Sequence, residues 1–192
     1  KTNLVVLMVA MLLWQGCVDY DWVEEWGDRG AGDGQFDLPF GVAIGPQGYV
    51  YVADSYNHRV QIFANDGQYV DKWGKEGVED GEFEYPVGIA TSPRGYVYVA
   101  DFSNNRIQKF DARGVHLLSW GKEGAGPGEF NLPYALDIDQ AGYVYVADTM
   151  NNRVQKFDAF GNFVWTKWAK PENWIDAPSG IAVSPSGHVY VS

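Results

Sequence analysis

Four side chains sit close together in the stretch YVYVADSYNHRVQIF, Tyr49 to Phe63: Asp54, Asn57, His58 and Arg59. A carboxylate, an amide, an imidazole and a guanidinium at this spacing are the groups from which acid–base sites are assembled. The same residue types also build corners. An Asp side chain accepts from backbone N–H groups two residues on, and Asn tolerates left-handed backbone geometry. Arg offers a planar fork of donors to a carboxylate or to turn carbonyls.

The stretch returns twice, as YVYVADFSNNRIQKF (Tyr96 to Phe110) and YVYVADTMNNRVQKF (Tyr143 to Phe157). Asp54, Asp101 and Asp148 recur at steps of 47, as do Pro39, Pro86 and Pro133, and Trp26, Trp73 and Trp120. A fourth unit opens at APSGIAVSPSGHVYVS, with Pro178 and Gly187 each 45 after its predecessor. Such a period marks stacked supersecondary units. A reaction has one site, whereas a demand of the fold is met once per unit. The recurrence of Asp54/Asn57/Arg59 as Asp101/Asn104/Arg106 and Asp148/Asn151/Arg153 therefore assigns these nine residues to a structural corner.

Each unit reads as four strands. FGVAIGPQG is a short apolar strand closed by a Pro/Gly turn. YVYVA is apolar throughout, so both of its faces should be covered. RVQIF follows the corner, and after the Asp66–Gly67 turn comes QYVDKW, whose Asp71 and Lys72 suit an outer edge strand. An inner strand rich in Gly and Ala with a charged outer one describes a four-stranded antiparallel blade. No segment after Cys17 sustains a helical apolar period, which makes the chain all-β.

These units resemble NHL repeats, on the residues GQFDLPFGVA…GYVYVADSYNHRVQIF, GEFEYPVGIA…GYVYVADFSNNRIQKF and GEFNLPYALD…GYVYVADTMNNRVQKF. The resemblance implies a β-propeller, most often six-bladed, used as a binding platform. A minority of related propellers are lyases or lactonases that work with a bound metal. The expected content is one outer strand at Tyr20–Gly27, three full blades and half of a fourth, with repeats at about 35–74, 82–121, 129–169 and 177–192. The incomplete last blade and the missing initiator Met lead us to expect a fragment of a longer chain.

Residues 1–17 differ in kind from the propeller segment, 18–192. Leu4 to Trp14 is an apolar run behind Lys1, the right length for the core of a secretory signal helix and roughly half of a membrane span. Cys17, the only cysteine, follows Gly16 and resembles the lipidated residue of a bacterial lipobox, although Trp14 and Gln15 depart from that pattern. The expectation is an extracytoplasmic protein, secreted or lipid-anchored at the envelope, that meets a membrane only through Cys17. A single cysteine excludes an internal disulfide.

Composition narrows the function. The net charge of −11, with 25 acidic against 14 basic residues, offers no basic stripe for a phosphate backbone, so nucleic acid is not an expected partner. The three histidines lie apart in the expected blade: His58 on the corner face, His188 at the opposite face and His116 in an outer strand. They cannot meet around one metal, so no catalytic or metal residue and no cofactor is assigned here. The alternative is a metal-dependent propeller lyase or lactonase whose calcium or zinc ligands lie mostly in further blades.

In an up-and-down blade the corner and the links between blades share one face. Function is expected there, at the positions where the units disagree: Phe40, Val87 and Tyr134 after the prolines, and Ser55, Tyr56, Phe102 and Met150 at the corner tips. Asp137 joins them, because the other units carry Ala43, Ala90 and Ala182 in its place. Varied and partly aromatic, these residues suit a non-catalytic platform for a protein, peptide or glycan. The anchor at Cys17 has its own test. Metabolic lipid labelling should mark the wild-type chain and not Cys17→Ser, and label that persists in the variant ends the lipoprotein reading.

Overall fold

The computed structural model describes residues 26–168 and 176–192. Residues 1–17, expected to be a signal segment, lie outside them, as does most of the outer strand expected at Tyr20–Gly27. Two short strands, β1 (Asp28–Arg29) and β2 (Gln35–Phe36), pair in parallel within the first link. The first blade then runs β3 (Pro39–Ile44), β4 (Val50–Asp54), β5 (Arg59–Phe63) and β6 (Tyr69–Trp73), hydrogen-bonded in chain order. The second is β7 (Pro86–Thr91), β8 (Val97–Asp101), β9 (Arg106–Phe110) and β10 (His116–Trp120). The third is β11 (Pro133–Ile138), β12 (Val144–Asp148), β13 (Arg153–Phe157) and β14 (Phe163–Trp168). A last pair, β15 (Ile181–Val183) and β16 (Val189–Val191), matches the first two strands of a blade. All pairs inside the blades are antiparallel.

The core lies between blades. Alternate residues of the second strand point to opposite faces, so β4 sends Tyr51 and Ala53 toward the second blade and Val50 and Val52 the other way. Tyr51, Ala53, Val60 and Ile62 pack with Ile89, Val97, Val99 and Phe110. Ala90, Tyr98, Ala100 and Ile107 meet Leu136, Val144, Val146 and Phe157 in the same way. That two-sided burial is why VYVA is apolar throughout, while the leading Tyr49 and Tyr143 remain exposed. The Tyr98 phenol inside this layer is pushed up to about 12, chiefly by burial.

Two glycine relationships set how closely the blades approach. A Cβ on Gly41 would stand 2.3 Å from the Val87 carbonyl oxygen, and one on Gly88 would stand 2.5 Å from that of Tyr134. The innermost strands of neighbouring blades thus run backbone to backbone. At the outer end the Trp of one unit lies over the hairpin glycine of the next. A Cβ on Gly114 would fall 2.5 Å from the Trp73 ring, and one on Gly161 would fall 2.9 Å from Trp120. This explains the tryptophan period: Trp73 stacks toward Phe110 (5.3 Å) and Trp120 toward Phe157 (5.8 Å) of the following blade.

Gly88 is not in left-handed geometry, so replacing it isolates the close approach. Gly88→Ala should cost about 1–3 kcal/mol by forcing the inner strands apart. Thermal melting followed by circular dichroism reads this, and an unchanged melting temperature would show that the strands do not need the contact.

Candidate functional site

The corner holds its own connecting loop. Asp54 is fully buried at the end of β4, and its Oδ1 accepts from the Asp37 N–H at 2.8 Å. Its Oδ2 accepts from Asn57 Nδ2 (2.9 Å), Arg59 Nε (2.7 Å) and Gln61 Nε2 (3.0 Å). The two terminal nitrogens of Arg59 then donate to the carbonyls of Ala31, Gly32 and Gln35 at 2.7–2.9 Å. Asn57 adds a bond to the Gly30 carbonyl at 2.8 Å. The link between blades is irregular backbone with few ladder partners, and buried carbonyls need donors. The corner supplies them.

The same network recurs. Arg106 pairs with Asp101 at 2.7 Å and grips the Val78, Glu79 and Glu82 carbonyls. Arg153 pairs with Asp148 at 2.6 Å and grips those of Ala125, Gly126 and Glu129. Burial pushes the Asp101 carboxyl upward, opposed by the Glu84 N–H, Arg106 and Asn104. The carboxylate and the guanidinium of each corner are thus both engaged by structural partners.

Two details of the sequence reading need correction. The corner carboxylates take the N–H of the link, residue 37, 84 or 131, and not an N–H of their own turn. The left-handed residue is not Asn57, Asn104 or Asn151 but the one after it: His58, Asn105 and Asn152 have φ of 51–52°. Their side chains cross to the following blade. His58 Nδ1 accepts from Tyr85 N–H at 3.3 Å, Asn105 Oδ1 from Leu132 N–H at 2.8 Å, and Asn152 Oδ1 from Ala177 N–H at 2.7 Å. A third contributor was missed altogether. Gln61, Gln108 and Gln155, each two residues past the Arg, are fully buried and tie both the Asp and the link backbone. Their recurrence at the 47-residue step was the available signal.

The variable positions divide. Ser55 is buried, and its hydroxyl donates to the Pro86 carbonyl, so it joins blades and does not face a ligand. Val87 is 5% exposed and belongs to the core. Asp137 faces the fourth unit: its Oδ2 accepts from Val183 N–H at 2.6 Å and its Oδ1 from Ile138 N–H at 2.8 Å. Neighbouring Asp139 is committed to its hairpin and to the Tyr145 hydroxyl at 2.9 Å. Burial, then this carboxylate, push the Tyr145 phenol up to about 12. Among the described residues no group of three His, Cys, Asp or Glu could hold a metal.

The others stay at the surface and gather. Phe40 and Met150 are 54% and 56% exposed, Tyr56 is 50% exposed, and Phe102 and Tyr134 are half-buried. The first-to-second strand register slips between Pro39 and Val42 and again between Pro133 and Ala135. Such a bulge re-aims a side chain, and Phe40 and Tyr134 stand at it. Although their blades are not adjacent, their rings meet edge to face at 6.1 Å, and Phe102 meets Tyr134 at 6.0 Å. Beside them Tyr85, absent from the sequence reading, packs on Tyr56 at 5.2 Å and on His58 at 4.7 Å. The corner face thus carries a run of aromatic surface drawn from three blades.

The comparisons with known proteins agree with this architecture. A family model described as NHL repeat matches residues 36–63 and 83–110. Over 45 residues it is 44% identical to the B-box type zinc finger protein ncl-1 of Caenorhabditis elegans, a match covering 23% of this chain and 5% of that protein. Among solved structures it is similar to a chain of a nidogen/laminin complex (TM-score 0.65, 18% identity, 82% of this chain and 56% of that one). It is also similar to virginiamycin B lyase from Staphylococcus aureus (TM-score 0.62, 16% identity, 80% and 48%). The chain therefore spans a twentieth of the curated relative and about half of each solved chain. At these identities the structures establish the propeller fold.

Arg106→Lys keeps the charge and removes the fork to Val78, Glu79 and Glu82. It should lower stability by about 3 kcal/mol, since charge-assisted bonds in shielded sites contribute about 1.5–3 kcal/mol each and lysine retains only part of them. Chemical denaturation measures this. A variant of wild-type stability that has lost ligand binding would return the corner to the functional site.

Proposed function

We propose that this NHL-repeat β-propeller is a non-catalytic binding platform that takes a polypeptide partner on the corner face, outside the cytoplasm. The observation that carries the reading is the aromatic surface of Phe40, Phe102 and Tyr134. It is exposed or half-buried, drawn from three blades, and placed where the units differ in sequence. Aromatic side chains provide large contact area at low conformational cost and dominate the energetics of interfaces. The neighbouring corner, which carries the residue types of catalysis, is spent on holding the links.

Two further points support the reading. One solved neighbour was captured in a complex between two proteins, nidogen and laminin, so a propeller of this shape can present a protein-binding surface. The apolar run Leu4 to Trp14 behind Lys1, with Cys17 beyond it, suits export and anchoring at the envelope. The proposal asks for no bound metal.

Selection of peptides from a displayed library against the purified full chain tests the site. Peptides that bind the wild type should lose at least about tenfold in affinity on the Phe40→Ala/Tyr134→Ala double variant, as expected for central aromatic anchors. The variant's melting temperature checks that it is folded. Selected peptides that bind both proteins equally would overturn the assignment of this face.

A further inference from the structure

The corner face is acidic, and part of that charge takes no side-chain role in holding the links: Glu82 and Glu129 bond link N–H groups, whereas Glu84 makes no ion pair among the described residues. The Asp–Arg pairs of the three corners are internally neutral. The links around them are not: residues 28–37 carry three carboxylates to one cation, residues 75–84 five to one, and residues 122–129 two to one. On the opposite face the hairpin turns carry a smaller surplus, the four carboxylates of Asp66, Asp111, Asp139 and Asp158 against the two cations Arg94 and Arg113. The links of the corner face thus carry more of the acidic surplus than the turns of the opposite face, although Asp33 and Asp80 are bonded to the outer-strand residues Lys72 and Ser119.

Two of these acidic residues are bonded through their backbones to the corner tips. The Asp37 carbonyl accepts from the Tyr56 N–H at 3.1 Å. Those of Glu84 and Tyr85 accept from the Ser103 and Phe102 N–H groups at 3.0 and 3.3 Å. The backbone thus pins each acidic residue to a corner tip. Asp37 faces Arg29 at 3.4 Å, a pair whose Arg side chain is largely exposed. The Glu84 carboxylate has no ion-pair partner among the described residues. In the third unit the equivalent residue is Asn131, beside Met150. The negative edge therefore lies along the first two units only.

We propose that the occupant of this face is a Lys- or Arg-rich polypeptide segment. Its cationic side chains lie over the rings of Phe40, Phe102, Tyr134 and Tyr56, with Glu84 and Asp37 neutralising them from the side. The inference rests on the platform reading above and adds the charge of the partner. Aromatic faces attract cations through the ring quadrupole, most strongly for guanidinium. A surrounding field of one sign concentrates the opposite charge and speeds encounter. The same field repels RNA and acidic peptides.

Fluorescence anisotropy with three labelled peptides tests the proposal on the full chain: a mixed Arg/Ser sequence, its Glu/Ser counterpart and an uncharged Gln/Ser counterpart. The Arg/Ser peptide should bind best and lose affinity as salt rises through the range where the Debye length falls below about 10 Å. Its affinity should fall about tenfold with Glu84→Gln/Asp37→Asn and with Phe40→Ala/Tyr134→Ala, an effect of the size expected for a lost charge contact or cation–aromatic contact. Equal or tighter binding of the Gln/Ser or Glu/Ser peptide, still lost in the aromatic variant, would overturn the charge assignment and leave the platform standing. Arg/Ser binding that neither variant changes would overturn both, as would tight binding of a single-stranded RNA oligonucleotide competing for the same face. A urea-denaturation midpoint matching the wild type certifies each variant as folded.

Discussion

The buried Asp–Arg pair at each corner is the interaction on which the rest of the structure depends. Taking two charges out of water is expensive, and mutual attraction compensates only when the remaining donors and acceptors are also used. Here they are. One carboxylate serves a link N–H, an amide, the guanidinium and a second amide, and the guanidinium reaches three carbonyls of the same link. The pair therefore gives an irregular loop a single conformation. That loop carries the chain from the outer strand of one blade to the inner strand of the next, so its shape fixes the step between blades. A network of this kind tolerates little variation, and the Asp, Asn, Arg and Gln are the same in all three units.

A fixed step leaves the blades to pack by contact. Small residues bring the inner strands together, and tryptophan closes the outer ends over hairpin glycines. Both devices depend on what stands opposite in the neighbouring unit, and both consume the second-strand side chains on two faces. What remains unconsumed lies where the inner strand bulges and where the corner tip turns. Sequence also varies along the outer strands and in the hairpin turns, but the corner rim is where varied residues of three blades come together.

The repeat made much of this legible. The 47-residue step, the apolar second strand and the Asp-x-x-Asn-x-Arg corner yielded the strand order and the structural use of the corner. The misses share a cause: contacts between blades leave no local pattern. Ser55 reads as an exposed tip because its partner, the Pro86 carbonyl, belongs to another unit. Asp137 reads as an oddity because the backbone that it serves is Val183, in the fourth unit. Gln61 looks like an ordinary polar residue in a strand, yet it is fully buried against the link. The one-residue error over the left-handed position came from Asn57 itself. Its amide was free to bond the carboxylate because the next residue, His58, takes the strained geometry.

Separating structural charge from surface charge has a consequence for selectivity. The corner ions are shielded and mutually neutralised, so they contribute little field beyond a few ångströms, whatever their number. The field at the rim is set by link side chains such as Glu84, which take no part in the clamp except through their backbone. A link needs its carbonyls and N–H groups in place for the corner to hold it, and that demand is indifferent to whether residue 84 is acidic, neutral or basic. The third unit shows this directly, since Asn131 presents the same N–H to Asp148 as Asp37 and Glu84 present to Asp54 and Asp101. The charge at this position is thus free of the fold, and the acidic residues at 37 and 84 are a property that folding alone does not account for.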